Sequence, residues 1–241
     1  MAFDPLRALR RLASSLALCA ALATPAWADG GEGAAPAAKP RLFGSFEFIG
    51  GRLDALPQWT RVLDKIRDET RTYNDCEADI RRCPFPAVAA WRAKVRSVDG
   101  LPRHRQMIEI NRFLNSWAYR EDIENFGVTD FWASPLVFLR RSGDCEDYAI
   151  IKYVSLRALG FSPESLRIVV VMDTLRNIAH AVLAIYMDND IFIMDSLFDA
   201  VLTHRNVTFY APQYSVNETT RWAHIMPMTP SASIDSGASV P

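Results

Sequence analysis

The apolar positions in the first half of the chain recur at helical spacing. Pro57 stands where a first helical residue is expected, and the apolar residues after it share one helix face: Trp59, Val62, Leu63 and Ile66. Residues 86–98, "PAVAAWRAKVRSV", and residues 103–119, "RHRQMIEINRFLNSWAY", repeat this pattern. Three helices are therefore predicted here, and their aromatic side chains are interpreted as core.

The period of the pattern changes in the second half of the chain. Residues 166–173, 180–187 and 191–197 are short runs rich in β-branched residues, which predicts three strands. The triplet Asp188-Asn189-Asp190 separates the last two runs and predicts a hairpin turn. Helices followed by strands favour an α+β domain with an antiparallel sheet.

A further helix is predicted between the two halves, from Asp144 to Leu159, and Gly160 is its stop signal. Its apolar face follows the i, i+3, i+4, i+7 spacing, with Asp147, Ile150, Ile151, Val154 and Ala158 on one side. This central helix is expected to lie on the sheet.

The ends of the chain have a different character from the middle. Residues 1–28 combine a basic start, an apolar run and an Ala-Trp-Ala cleavage site, which predicts an exported chain cut after Ala28. The apolar run is too short to cross a ~30 Å hydrocarbon core, and no other stretch approaches that length. Residues 29–41 are interpreted as a flexible linker, 42–225 as the folded domain and 226–241 as a disordered tail.

The charge balance argues against a nucleic-acid partner. The whole chain has a net charge of −1. Residues 1–28 hold three of the 27 basic residues and one of the 28 acidic residues, so their removal leaves a net charge of −3. No basic patch remains that would favour a nucleic-acid partner.

Three cysteines remain after the predicted cleavage. Cys76 and Cys83 lie seven residues apart on a polar segment, and in an oxidising compartment this pair predicts a local disulfide. Cys145 is left over, and it lies in the first turn of the predicted central helix. A leftover cysteine in an exported protein is either a small buried apolar residue or a reactive thiol.

The surroundings of Cys145 favour a reactive thiol over a buried apolar residue. A helix N-terminus lowers the pKa of a thiol and offers backbone donors to an oxyanion, and a nucleophilic thiol also needs a base with an orienting partner. Among the four histidines, His180 opens a predicted strand and Asp195 lies fifteen residues later, near the end of the next. The hairpin register makes Asp195 a diagonal neighbour of His180, and spacing alone leaves a triad and an ordinary strand histidine equally open.

Three segments resemble the bacterial transglutaminase-like cysteine proteinases, a family of LapG-type periplasmic proteases with a papain-like core. They are "NRFLNSW" (111–117), "DFWASPLVFLRRSGDCEDYAIIKYVSLRALGF" (130–161) and "HAVLAIY" (180–186). The resemblance implies that Cys145 is the nucleophile, His180 the general base and acid, and Asp195 the orienting carboxylate.

The resemblance also implies a Ca²⁺ site at the acids that flank the cysteine, Asp144 and Glu146, with Asp147 as a further candidate. Carboxylates are ligands that calcium prefers, and a bound cation would cancel the negative charge beside the thiol. Helix capping is the competing interpretation, because Asp144 and Asp147 are spaced as in a capping box. Capping leaves Glu146 without a specific role.

The resemblance therefore implies a calcium-dependent periplasmic cysteine endopeptidase. Such enzymes cut the N-terminal region of a large surface adhesin near a pair of alanines, which releases cells from a biofilm, and an inner-membrane receptor for cyclic di-GMP sequesters them. Two alternatives remain open at this point. A transglutaminase would pass the same acyl-enzyme to an amine, and a binding module without catalysis would keep only the contact with the receptor.

Overall fold

The computed structural model describes residues 40–227, so the predicted signal peptide, residues 29–39 of the linker and residues 228–241 of the tail lie outside the described residues. Within residues 40–227 there are six α-helices: α1 Pro57–Ala78, α2 Pro86–Val98, α3 Arg103–Leu114, α4 Asp122–Asn125, α5 Pro135–Arg141 and α6 Cys145–Ala158. The seven strands are β1 Phe46–Ile49, β2 Leu166–Asp173, β3 Ile178–Met187, β4 Asp190–Met194, β5 Leu202–Thr203, β6 Tyr210–Val216 and β7 Arg221–Ile225. None of the described helices is both long enough and apolar enough to span a membrane.

The helical half of the chain follows its local sequence signals, except that α3 ends at Leu114, five residues before the end of the predicted segment. Both α1 and α2 begin at a proline, as predicted, because proline has the backbone angle of a first helical residue and lacks only an N–H group that would be unpaired there. The predicted faces of these helices are buried: Trp59 of α1, Trp91 of α2 and Ile110 of α3 are all fully enclosed. These side chains form one core with α6 and the sheet.

The predicted disulfide between Cys76 and Cys83 is present, and it ties the end of α1 to the segment that leads into α2. Replacing both cysteines with alanine is expected to lower the free energy of unfolding by about 2 kcal/mol, since the closed loop is short. Urea denaturation followed by circular dichroism would measure this difference. Reduction of the wild-type protein should reproduce it, and an unchanged midpoint in both experiments would contradict the prediction.

The strands form one antiparallel sheet in the order β1-β7-β6-β2-β3-β4-β5. β2 has the predicted bounds, and β3 and β4 contain or overlap the other two predicted strands. The hairpin turn between them has two residues, Asp188 and Asn189, which both have positive φ, while Asp190 already belongs to β4. Aspartate and asparagine tolerate this conformation better than other residues with a side chain.

Four strands, β1, β5, β6 and β7, were not predicted from the sequence. β6 is the most important of them, because it lies beside β2 in the middle of the sheet. Its proline, Pro212, lies where the pairing of β6 with β2 shifts register, between Val170 and Val171. Proline lacks the N–H group of a regular ladder, so such an irregularity is where a central strand tolerates it.

Helix α6 has no solvent-exposed face along most of its length, which corrects the predicted apolar stripe. Every residue from Glu146 to Leu156 is buried, including Lys152, whereas Ala158, which was assigned to the apolar face, is exposed. The helix contacts α3 and α5 on one side and β2 and β3 on the other. A helix enclosed by two layers is buried on all sides, so a single apolar stripe does not describe it.

Candidate active site

Cys145 is the first residue of α6, and a cleft of about 700 Å³ opens beside it. The thiol is partly buried and is the free cysteine of the described chain. The chain enters α6 through Gly143, which forms an isolated β-bridge with Tyr119 and accepts a hydrogen bond from the Arg120 amide (2.9 Å). This contact with a distant segment fixes where the helix begins, and with it the place of the thiol.

His180 lines the same cleft as Cys145. Its Nε2 atom is hydrogen-bonded to Asp195 Oδ1 at 2.8 Å, and both residues are almost fully buried. The pairing of β3 with β4 ends at Leu183 and Met194, so Asp195 follows the last paired residue and lies diagonally from His180. The contact that was expected across the hairpin is therefore present.

Tyr210, the first residue of β6, completes the surroundings of Asp195. Its hydroxyl donates a hydrogen bond of 2.6 Å to Asp195 Oδ2, and the amide of Leu197 donates to Oδ1 at 3.0 Å. Burial opposes ionisation of Asp195, but the contacts with His180, Tyr210 and Leu197 outweigh it and lower the carboxyl pKa. Asp195 is thus held as a carboxylate beside the imidazole.

The other three histidines lie elsewhere. The ring of His104 packs against Phe192. His204 accepts a hydrogen bond from the Phe43 amide, and His224 lies between the hydroxyls of Ser45 and Ser215. Of the four candidates, His180 is the one that lines the cleft of Cys145.

The environment of the thiol opposes its ionisation. Burial raises the pKa of Cys145, and the negative charges of Glu146 and Asp144 raise it further, against the opposite effect of the Ala181 amide. The thiol also donates a hydrogen bond to Glu146 Oε2 at 3.4 Å. A thiolate at this position therefore requires something that offsets the neighbouring carboxylates.

Four carboxyl groups meet at the start of α6. One oxygen from each of Asp122, Asp144, Glu146 and Asp147 lies within 4.8 Å of the others. Burial is the main cause that raises the pKa of Asp122 to about 6, that of Glu146 to about 11 and that of Asp147 well above its usual value. Negative charges this close and this buried repel one another unless protons or a cation neutralise them.

Helix capping does not explain the cluster. Asp144 occupies the N-cap position of α6, but its side chain makes no capping hydrogen bond. The carboxylate of Asp147 accepts instead from the amide of Ala133, 14 residues upstream, at 2.5 Å. The same carboxylate lies so close to Gly143 that a Cβ atom there would overlap it. Gly143 is therefore required for this packing.

Comparison with known proteins places these observations in a family. The chain matches the bacterial transglutaminase-like cysteine proteinases over residues 71–229, which is more than half of its length. The chain belongs to this family. The match includes the cysteine of the cleft, His180 and Asp195, and no curated protein sequence matches the proteinase at a significant level.

Solved structures of Legionella pneumophila LapG are similar to this proteinase. One is 33% identical over 57% of this chain and 78% of LapG, with a TM-score of 0.53. A calcium-bound LapG structure is 32% identical over 62% of this chain and 84% of LapG, with a TM-score of 0.54. The helical layer and antiparallel sheet described above are thus the transglutaminase-like protease fold.

The acidic cluster of the proteinase fits a calcium ion. All four groups offer oxygen, which is the donor that Ca²⁺ prefers. Three of these oxygens are buried without any hydrogen-bond partner: Asp122 Oδ1, Asp144 Oδ1 and Asp147 Oδ2. A buried carboxylate oxygen without a donor is destabilising, and a cation among the three would satisfy them together. Asp144, Glu146 and Asp147 were candidates from the sequence, whereas Asp122 was not.

Asp122 escaped notice because no local signal marks it. It is the first residue of the short helix α4, 22 residues before Asp144. Its Oδ2 atom accepts from the amide of Phe131, which turns the side chain into the protein. Its burial at 2% exposure, in a segment of otherwise exposed acids, is a tertiary property.

Proposed function

We propose that the chain is a calcium-dependent, periplasmic cysteine endopeptidase in which Cys145, His180 and Asp195 are the catalytic residues. One observation carries this proposal: Cys145 at the start of α6 and His180 line one cleft, and the outer side of the imidazole is bonded to Asp195. Nucleophile, base and orienting group are the three parts that nucleophilic catalysis requires.

The chemistry follows from the atoms available. Because Nε2 of His180 is committed to Asp195, Nδ1 is the ring nitrogen left to exchange a proton with the thiol. The sulfur of Cys145 attacks the peptide carbonyl carbon, and the imidazolium then gives its proton to the departing amine as the C–N bond breaks. Water then attacks the resulting thioester as His180 takes one of its protons. The C–S bond breaks, the new carboxyl end of the substrate leaves, and His180 returns the proton to the sulfur. The backbone N–H of Cys145, at the helix start, is available to stabilise the oxyanion.

Calcium would be held by Asp122, Asp144, Glu146 and Asp147. When bound, it supplies positive charge that offsets the carboxylates which otherwise raise the pKa of the Cys145 thiol. Two residues of the cluster also bond the segment between α4 and α5: Asp147 accepts from the Ala133 amide and Asp122 accepts from the Phe131 amide, while Asp147 packs against Gly143. Calcium is thus proposed to act on the thiol and on the shape of the cleft entrance.

The proposed substrate is the N-terminal region of a large surface adhesin, cut near a pair of alanines to release cells from a biofilm. We further propose that residues 1–28 direct the chain to the periplasm, where an inner-membrane receptor for cyclic di-GMP sequesters it. The support for these proposals is membership of the family and the similarity to LapG.

Mass spectrometry of the reaction products tests the proposed reaction. The protein without residues 1–28 is mixed with an adhesin N-terminal fragment in calcium, and two shorter peptides are expected from hydrolysis. A product joined by a new amide bond would indicate acyl transfer instead. The Cys145→Ala protein should yield neither product, and cleavage by this variant would refute the role of Cys145.

Reactivity of the thiol separates an enzyme from a binding module. Cys145 in the wild-type protein is expected to react with iodoacetamide faster than a model thiol in the presence of calcium, since the proposed charge balance favours the thiolate. A thiol slower than the model compound, together with no cleavage of the adhesin fragment, would support the inactive binding module.

A further inference from the structure

Asp195 needs support from outside its own strand. It follows the last residue of β4 and is completely buried, so its carboxylate is shielded from bulk solvent. Oδ1 accepts from His180 and from the Leu197 amide, whereas the donor that the described residues offer to Oδ2 is the Tyr210 hydroxyl, at 2.6 Å. Among the described residues, the hydrogen bond to Asp195 Oδ2 therefore depends on the Tyr210 hydroxyl alone.

Tyr210 is placed by the pairing of β6 with the end of β2. It pairs with Asp173 at the end of β2, and the adjacent Phe209 carbonyl accepts from the Thr174 amide at 2.9 Å. Its side chain is 2% exposed, and its ring centroid lies 5.6 Å from that of His180. The same side chain thus contacts both members of the His180–Asp195 pair from a strand that carries neither.

We propose that Tyr210 is the positioning residue of the His180–Asp195 pair. With Oδ2 held by the hydroxyl, the carboxylate of Asp195 cannot turn about its last bond, so Oδ1 stays directed at the Nε2–H group of His180. The imidazole then keeps Nδ1 free for the thiol. This inference rests on the proposed function, because it assigns a role within that catalytic site.

The charged groups around Asp195 show why a neutral donor is suited to this role. Lys152 of α6 faces Asp195, and its amine is fully buried without a hydrogen-bond partner. Arg176, in the turn between β2 and β3, is bonded to Asp173 instead, at 2.6 Å. A cation bonded to Oδ2 would neutralise the charge that stabilises the imidazolium, whereas a phenol leaves it in place. Without the Tyr210 hydroxyl, the orientation of the carboxylate depends on the two hydrogen bonds to Oδ1 alone.

The first test is the steady-state kinetics of Tyr210→Phe, which removes one oxygen and keeps the ring. The kcat for a peptide substrate is expected to fall about tenfold to a hundredfold, while KM stays close to the wild-type value, because the change disturbs orientation and not substrate binding. A kcat within twofold of wild type would overturn the proposal.

The matched control is Tyr186→Phe. Tyr186 lies on β3 in the same sheet, and its hydroxyl also donates to a carboxylate, Glu47 Oε1, at 2.9 Å. Both variants lose one phenol–carboxylate bond, but only Tyr210 contacts His180. Tyr186→Phe is therefore expected to keep its kcat. An equal loss of kcat in both variants would mean that Tyr210 acts only through stability, which would overturn the proposal.

A spectroscopic test does not depend on peptide cleavage. In the Cys145→Ala protein, the Nε2 proton of His180 is expected to give a slowly exchanging NMR signal, since it is buried in a bond to Asp195. Adding Tyr210→Phe should speed its exchange at least tenfold and populate the other tautomer, whereas adding Tyr186→Phe should not. If the wild-type protein cleaves nothing, the proposed function fails, and this signal alone decides the role of Tyr210: an unchanged signal overturns it.

Discussion

Removal of calcium with excess EGTA is expected to abolish peptide cleavage and to lower the melting temperature by about 5–10 °C. Two effects lead to this result. The folded state loses the free energy of cation binding, which is about 2.7 kcal/mol at a calcium concentration a hundredfold above Kd. The carboxylates around Cys145 are then no longer offset, and they raise the pKa of its thiol. Activity assays and calorimetry would measure the two effects.

Two variants of helix α4 test whether the effect of EGTA arises at the acidic cluster. Asp122→Asn removes one charge from the cluster and is expected to weaken calcium binding in isothermal titration by at least tenfold. Glu124→Gln, two residues later on the exposed side, is expected to leave calcium binding unchanged. Calcium, but not magnesium at the same concentration, should restore the EGTA-treated protein, because several carboxylates at one site suit the larger ion. Indifference of activity and melting temperature to EGTA would leave protons as the groups that neutralise the cluster.

The parts of the fold that were predictable from the sequence are those with local causes. Pro57 and Pro86 start helices because of their own backbone geometry, and Gly160 ends α6 with positive φ. The β-branched run of β2 and the presence of a turn after β3 have equally local causes. The starts of the two helices and the bounds of β2 needed no knowledge of the rest of the molecule.

Two of the strands that were not predicted, β6 and β1, have partners that are distant in sequence. β6 pairs with β2 across the 36 intervening residues 174–209, and its proline is acceptable only because the ladder shifts at that point. β1 lies at the sheet edge and pairs with β7, which is near the other end of the domain. Pairings of this kind leave no short-range signal.

The residues of the candidate site also fall into two groups: those marked by the local sequence and those that only the tertiary fold brings in. Cys145, Asp144, Glu146 and Asp147 are neighbours in sequence, so one short motif marks them. The hairpin register is enough to bring Asp195 to His180. Asp122 and Tyr210 reach the site from a separate helix and a separate strand, and neither residue type is unusual in its local context. Only the assembled fold shows that their oxygens point inward.

The arrangement also links the acidic cluster to the proposed nucleophile, because Glu146 belongs to the cluster and is the next residue after Cys145 in α6. Glu146 accepts a hydrogen bond from the Cys145 thiol, so a cation bound at the cluster would compete with the thiol for this carboxylate. The carboxylates raise the pKa of the thiol when no cation is bound, so binding of a cation would control how readily the thiolate forms. A cysteine among carboxylates therefore agrees with the calcium dependence proposed above.

Replacing Asp195 with asparagine is expected to lower kcat by about 10³–10⁴-fold without changing the position of the Cys145 thiol. The amide removes the negative charge that stabilises the imidazolium, and its NH₂ group favours the tautomer of His180 that has its proton on the wrong nitrogen. Asp199→Asn is the matched control, since this exposed acid lies in the same loop and bonds Asn115 rather than a ring nitrogen. Single-turnover cleavage and far-UV circular dichroism would compare the variants, and a folded Asp195→Asn protein within tenfold of wild-type kcat would show that His180 needs no carboxylate partner.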